Sequence, residues 1–318
     1  MTFTLRQTIA ISAGVFLLTF IGDAAVPQNP MPPAPAQPTP APHPLVKEAQ
    51  QLTTEGKLAE ALAVYRKALA AEPKLVDAHL GAGRTLDLTG QRDDARRHFA
   101  TAIALAGPDA TAQALTAMAV SYAFEAKAAD AAKFYEKVFA NRMAAGNPNG
   151  ATGTANAMAR VYLESGDLAN AEKWYRTGYD TSKQIKDVTP AQTDLWQMRW
   201  LHAQARIAAR RGNFTEARQH AAALKALLDK GENDGERPQY QYLLGYIALE
   251  AGEYDTAIAE LEKGNLTDSF VLGLIARAYE KKADAAKATE YYQKVMAGTS
   301  HSINTAFSQQ WARKFLKQ

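Results

Sequence analysis

The stretch YLLGYIALEAGEYDTAIAEL (242–261) places two apolar helical patterns on either side of one glycine, Gly252. In each half, small or apolar residues recur three and four positions apart, which is the spacing of one face of an α-helix. A glycine after the first half can adopt the left-handed conformation that ends a helix at low cost. This stretch therefore predicts two amphipathic helices joined by a tight turn.

The same helix–turn–helix pattern returns along most of the chain. Aligned on one alanine per unit, the units are spaced by 34, 36, 40, 46, 40 and 31 residues. Most units have glycine five positions before that alanine and Tyr or Phe four positions after it. Repetition at this period is typical of helical repeat arrays. The alanines are Ala61, Ala95, Ala131, Ala171, Ala217, Ala257 and Ala288, and the glycines are Gly56, Gly90, Gly166, Gly212 and Gly252.

Small residues at fixed positions decide how such helices pack. Small side chains on facing helices let the two helix axes approach to roughly 8–10 Å. The aromatic side chain one turn after the alanine then fills the space towards the next unit. Because one helix pair cannot bury both of its faces, neighbouring pairs have to stack. The sequence predicts an all-α solenoid of about seven antiparallel helix pairs.

Several units resemble the tetratricopeptide repeat (TPR) family. The segments that carry the likeness are residues 56–73, 166–178, 242–261 and 275–295. The resemblance extends over about residues 45–297 and implies a right-handed superhelix whose inner face is lined by the first helix of each pair. The fifth unit departs most, since Ala221 replaces the aromatic residue and the spacing to the preceding unit is 46 residues. Its two helices are predicted over residues 190–211 and 213–230.

Residues 1–25 have the pattern of an export signal. A positive start precedes an uncharged, mostly apolar run at residues 8–21, and small residues follow at 22–25. Fourteen helical residues span about 21 Å, less than the ~30 Å hydrocarbon core of a bilayer. We predict cleavage after Ala24 or Ala25, with an uncleaved anchor as the alternative. Either interpretation predicts an exported bacterial protein, periplasmic or secreted, and only an uncleaved segment would contact the membrane.

A proline-rich linker and the repeat domain follow the predicted signal. Nine of the eighteen residues at 27–44 are Pro, which lacks the N–H of a helix or strand. We therefore predict an extended, polyproline-like spacer at residues 26–44. The repeat domain is predicted to occupy residues 45–300.

A final helix is predicted at residues 301–318. Phe307, Trp311 and Phe315 lie four positions apart, so they form one apolar stripe on this helix. We predict that the stripe caps the exposed face of the last repeat unit. A helix that binds a partner protein is the alternative.

Composition and motifs argue against catalysis and nucleic-acid binding. The 318 residues are 47% hydrophobic and 22% charged, with a net charge of +3, which is typical of a globular chain and too weakly basic to indicate nucleic acid. There is no cysteine, so a disulfide, a thiolate metal site and a Cys nucleophile are excluded. No His-Glu-x-x-His pair or P-loop occurs. We predict a protein that is not an enzyme and needs no metal or cofactor.

The groove inside the predicted superhelix is the remaining candidate site. By the register of the family, the residue eleven positions before each repeat alanine faces inward, and it is Arg in four of the seven units. Arg donors suit carboxylates and backbone carbonyls, and Tyr adds stacking area. The predicted groove residues are Arg84, Asn156, Arg160, Arg199, His202, Arg206, Arg210, Tyr242, Tyr246 and Arg277.

Two interpretations of these residues stay open. In the first, the groove binds an extended or helical peptide with acidic groups. In the second, the inner face is solvated and its Arg residues pair with neighbouring carboxylates of the chain itself. The sequence thus predicts a non-enzymatic protein–protein interaction scaffold of the cell envelope. The alternative is an accessory factor in envelope, outer-membrane or polysaccharide assembly that acts through its convex face or as a homo-oligomer.

Overall fold

A computed structural model of the protein describes residues 43–317, apart from the side chains at positions 108–110. The predicted export signal and nearly all of the predicted linker lie outside these residues. Within the described range, all regular structure is helical. This confirms the predicted all-α class.

Between residues 43 and 317, seven helix pairs, numbered here units 1 to 7, follow one another, and a fifteenth helix comes after them. The pairs are α1 (Pro44–Thr54) with α2 (Leu58–Ala71), α3 (Val76–Leu88) with α4 (Arg92–Leu105), α5 (Pro108–Ala123) with α6 (Ala128–Ala144), α7 (Pro148–Glu164) with α8 (Leu168–Ser182), α9 (Pro190–Arg210) with α10 (Phe214–Leu228), α11 (Arg237–Glu250) with α12 (Tyr254–Leu261), and α13 (Ser269–Lys281) with α14 (Ala285–Met296). The last helix is α15 (Ile303–Leu316), and a short 3-10 helix, Asp234–Glu236, precedes α11. Each helix packs against the next one in sequence, so the pairs stack in chain order as a solenoid.

The repeated small residues lie where the helices of a pair meet. All seven repeat alanines are completely buried. In unit 2, a Cβ atom added to Gly83 would lie 2.5 Å from the ring of Phe99 on the partner helix. In unit 6, a Cβ atom added to Gly245 would lie equally close to Leu261. The close approach of the two helices thus depends on the absence of a side chain opposite a large one.

The long fifth unit has a strong local start signal. Thr189 and Gln192 form a capping box, in which Gln192 N donates to the Thr189 hydroxyl at 3.2 Å and Thr189 N donates to the Gln192 side chain at 2.8 Å. Pro190 occupies the first helical position, where a missing N–H costs nothing. These contacts satisfy the free donors at the helix start, so the 21-residue α9 begins at a fixed point.

Every turn inside a helix pair contains one residue in the left-handed conformation. It lies five positions before the repeat alanine and is Gly in five units. Units 3 and 7 have Ala126 and Ala283 there, with φ of 55° and 59°. A side chain in this conformation costs about 1–2 kcal/mol. The turn geometry therefore prevails over the local preference of alanine in these two units.

We expect Ala283→Gly to stabilise the protein by about 0.5–1 kcal/mol, because relief of the left-handed strain exceeds the entropy that glycine gains in the unfolded chain. The matched control is Ala223→Gly, an exposed position in the middle of α10, which should cost about 1 kcal/mol. Urea unfolding followed by circular dichroism measures both. A loss of stability in Ala283→Gly would contradict this account of the turn.

Candidate functional site

The C-terminal helix crosses the inside of the solenoid. On unit 7, Trp311 packs on Phe270 with ring centres 5.0 Å apart, and Phe315 packs on Tyr292 at 4.9 Å. The same helix also contacts α5 and α7, in units 3 and 4. It therefore covers the last unit, as a cap does, and in addition joins that unit to earlier ones.

Two hydrogen bonds tie α15 to the carboxyl ends of earlier first helices. Gln310 Nε2 donates to the carbonyl of Ala123, the last residue of α5, at 2.7 Å. Arg313 donates to the carbonyl of Leu88, the last residue of α3, at 3.0 Å. A cationic or amide donor is favourable at a helix carboxyl end, where backbone carbonyls lack helical partners. The first helices of units 2 and 3 are thus held by the last helix.

A buried contact between a histidine and an aspartate also joins the segment before α15 to α3. His301, just before α15, lies 2.8 Å from the carboxylate of Asp87 on α3, and Ser121 donates to that carboxylate at 3.0 Å. Phe99 and Phe124 flank the imidazole at 5.6 Å. Burial lowers the pKa of His301, although its bond to Asp87 acts in the opposite direction. The neutral imidazole is therefore the form that the folded protein favours.

This depressed pKa predicts that acid weakens the fold. Below about pH 6.5 the unfolded chain binds a proton at this histidine more readily than the folded chain does. The free energy of unfolding therefore decreases as the pH is lowered, by at most about 1.4 kcal/mol per pH unit for one group. We expect His301→Gln to lose less stability than the wild type between pH 7.5 and pH 5. Urea unfolding at the two pH values measures the difference, and an equal loss in both proteins would contradict it.

The segment around His301 divides the inner space into two cavities. The first, here the units 4–6 cavity, has a volume of about 1100 Å³ and is bounded by α7, α9, α11 and residues 297–305. The second, here the units 2–3 cavity, has about 1070 Å³ and includes His301 in its wall. Six of the ten predicted groove residues line the units 4–6 cavity: Asn156, Arg160, Arg199, His202, Arg206 and Tyr242.

Arg206 is the most enclosed of these residues. Only 4% of it is exposed. It donates to the phenol oxygens of Tyr175 and of Tyr242, the latter at 3.2 Å, and lies 3.8 Å from the carboxylate of Glu164. Burial by itself lowers the pKa of Arg206, but the two phenol oxygens and the carboxylate raise it above its ordinary value. Its partners belong to units 4 and 6, so Arg206 links three successive units.

Arg210 and Tyr246 extend this network away from the cavity. Arg210 lies 3.5 Å from Glu164 and donates to the Tyr246 phenol at 3.4 Å. Tyr246 is completely buried, and the side chain of Glu164 is only 1% exposed. For Arg206 and Arg210, the structure agrees with the interpretation that inner arginines pair with groups of the chain itself.

Arg206→Leu should cost about 3–5 kcal/mol, because it removes one partner of a buried ion pair and leaves the Glu164 carboxylate undercompensated. Arg218→Leu is the control, since Arg218 pairs with Glu253 at the surface, with both side chains about half exposed. An exposed pair contributes about 0–1 kcal/mol. Denaturant unfolding measures both variants. Equal losses would show that burial of the network contributes nothing.

Arg160 and His202 present unpaired nitrogen atoms at the wall of the units 4–6 cavity. The Arg160 guanidinium lies over the Phe270 ring at 4.5 Å, and its buried Nε has no hydrogen-bond partner among the described residues. His202 stacks on Tyr242 at 5.3 Å, and its Nε2 likewise has no partner there. Burial holds the pKa of His202 well below its ordinary value. The Arg160 guanidinium therefore retains hydrogen-bond donors for a ligand, whereas the neutral His202 ring already bonds to the Gln239 backbone and has no further donor.

The other predicted residues lie apart from each other. Arg199 lies over Trp196 at 4.8 Å and 3.9 Å from Glu236. Arg277 lies over Trp311 at 4.8 Å, and Arg84 lines the units 2–3 cavity. The partners of the inner arginines and the contacts of residues 301–313 with earlier units were not predicted from the sequence. The one sequence signal for the latter is the polar content of α15, in which Thr305, Ser308 and Gln309 are buried.

Neither a metal site nor a membrane-spanning helix occurs among the described residues. No cluster of three His, Asp or Glu side chains between positions 43 and 317 could hold a metal ion. No helix in that range is both long enough and apolar enough to cross a bilayer.

Helix pairs in chain order around an inner face define a helical-hairpin repeat array. Within it, residues 52–119 and 238–265 match sequence descriptions of the tetratricopeptide repeat. The chain therefore contains tetratricopeptide repeats. A search of curated proteins finds no match. Arrays of this class provide extended surfaces for binding other proteins. The repeats therefore favour the interpretation of this fold as a scaffold for protein–protein interaction.

Several solved structures are similar to this chain at low sequence identity. A chain of the Cut9–Hcn1 hetero-tetramer of the APC/C is 17% identical, with 86% of this chain and 48% of that chain aligned at a TM-score of 0.45. This chain thus spans about half of that one. A tetratricopeptide repeat protein from Parabacteroides merdae is 15% identical over 79% of this chain and 90% of that chain, at a TM-score of 0.49. Pseudomonas aeruginosa pilF is 13% identical, with 78% of this chain and 95% of that chain aligned at a TM-score of 0.44. TM-scores below 0.5 support no functional conclusion.

Proposed function

We propose that the protein is a non-enzymatic scaffold of the bacterial cell envelope that binds an acidic segment of a partner protein in the units 4–6 cavity. The observation that supports this most is the Arg160 guanidinium in the cavity wall, whose Nε has no hydrogen-bond partner among the described residues. A buried donor without a hydrogen-bond partner is costly, and a carboxylate in the cavity would remove that cost.

The shape and the remaining lining suit a peptide. The cavity combines Arg160 and Arg199 with amide and hydroxyl side chains such as Asn156, Asn265 and Thr299. Arginine binds carboxylates through a planar fork of donors, and the neutral groups can bond to peptide amides and carbonyls. A volume of about 1100 Å³ accommodates several residues of an extended chain.

Export rests on the sequence pattern at residues 1–25. A positive start, a short apolar run and small residues at the predicted cleavage site form the pattern of a secretory signal. Cell fractionation and amino-terminal sequencing of the mature protein test this part. Periplasmic or secreted protein that begins at residue 25 or 26 is expected, whereas cytoplasmic protein with an intact start would contradict export.

Peptide binding tests the cavity directly. We expect a fluorescent peptide rich in Glu to bind the purified protein, and Arg160→Gln to weaken that binding at least tenfold, which corresponds to about 1.4 kcal/mol. Arg218→Gln is the control, because it removes the same charge from the exposed surface of α10. Fluorescence anisotropy measures the affinities, and circular dichroism verifies the fold. Equal affinity in the two variants would contradict the cavity as the binding site.

A photo-crosslinking residue distinguishes the cavity from the convex face in cells. Gln239 is exposed and lines the units 4–6 cavity, whereas Ala223 is exposed on α10 and outside its lining. Crosslinking of a partner from position 239 supports the cavity. Crosslinking from position 223 alone would favour the alternative, an assembly factor that acts through its outer surface or as an oligomer.

A further inference from the structure

The units 2–3 cavity has a wall that contains arginine and no carboxylate. It is bounded by the inner sides of α3 and α5, by the end of α6 and by His301, and its volume is about 1070 Å³. None of its lining residues is Asp or Glu, in contrast to the units 4–6 cavity, which includes Glu236 and Asp268. The polar lining residues are Arg84, Gln113, Thr116, Asn141, Arg142, Asn147 and His301.

Arg84 differs from the arginines that occupy the same register in other units. Arg206 is bonded to phenols and a carboxylate, Arg160 lies over Phe270, and Arg277 lies over Trp311. For Arg84, the described residues provide no ion pair, no hydrogen bond and no aromatic face, although its side chain is partly buried. Burial lowers the pKa of this guanidinium, as expected for a charge moved out of water. Tyr65 and Asp77 act in the opposite direction, but no described residue forms a hydrogen bond or an ion pair with this cation.

A second arginine in the same cavity is already held in place. Arg142 NH1 donates to the carbonyl of Gly150 at 2.8 Å and to the hydroxyl of Thr154 at 2.6 Å. These bonds fix one edge of the guanidinium, while its other nitrogen atoms make no hydrogen bond to described residues. A fixed fork loses little conformational entropy when it binds a ligand, so Arg142 is preorganised for an oxyanion.

We propose that the units 2–3 cavity binds a small organic molecule through a phosphate or carboxylate group, with Arg84 and Arg142 as its cationic contacts. Both groups offer paired oxygen atoms to the arginine fork. Gln113, Thr116 and Asn141 supply donors and acceptors for the neutral polar atoms of the ligand. The volume of about 1070 Å³ is slightly above the usual range of about 300–1000 Å³ for small-molecule sites, so a small molecule fits. The site is separate from the units 4–6 cavity, so this proposal does not depend on the proposed function.

Calorimetric titration of the full-length protein tests the site with inorganic phosphate and, separately, with citrate. Saturable binding of at least one probe is expected, and whichever binds identifies the preferred oxyanion. Arg84→Gln should weaken that binding at least tenfold. The control Arg97→Gln should leave it unchanged, since Arg97 is exposed and pairs with Asp94 outside this cavity. No saturable binding of either probe, or equal affinity in both variants, would overturn the proposal.

A second experiment uses the wild-type protein, so its result does not depend on whether the Arg84→Gln variant folds. Phenylglyoxal modifies arginine, and peptide mass spectrometry reports the extent at each residue. Saturating phosphate or citrate should slow the modification of Arg84 at least threefold, while Arg97 reacts at an unchanged rate. Equal protection of both residues, or protection of neither, would show that the anion does not bind in the cavity.

Discussion

The array depends on one recurring contact, a large side chain on the second helix of a pair against a position without bulk on the first. The Phe99 ring fits at Gly83 because no Cβ atom is present there, and Leu261 fits at Gly245 for the same reason. This contact sets the distance between the two helix axes, and the distance sets how each unit stacks on the next. The first helices of successive units therefore line the inner side of the array.

The last helix turns this stack of neighbours into a structure with distant contacts. In an open array, each unit contacts only the units beside it. Here α15 packs on unit 7 through Trp311 and is bonded to units 2 and 3 through Arg313 and Gln310. Helices far apart in sequence therefore support each other, and the interior is partitioned into two chambers with different chemistry. One chamber has charges of both signs in its wall, and the other has basic charge alone.

The fold could be predicted because it follows from local patterns. The repeat alanines, the turn glycines and the helix start at Thr189 are each readable within a few residues, and the predicted helices of unit 5 agree with α9 and α10 to within two residues. The site was only partly predictable, because it depends on which side chains meet across units. Arg206 was predicted to face inward, but its burial against Tyr175 and Tyr242 follows from the tertiary packing. The pairing of His301 with Asp87 joins residues 214 positions apart, so no periodicity could indicate it.

The connection made by α15 also constrains how this chain can diversify. Arrays held together by adjacent contacts alone tolerate the duplication or loss of a module, since each new boundary resembles the old ones. In this protein, a module added between units 3 and 7 would shift α13 and α15 relative to Leu88 and Ala123, and both hydrogen bonds to those carbonyls would be lost. Recombination between these repeats is therefore penalised.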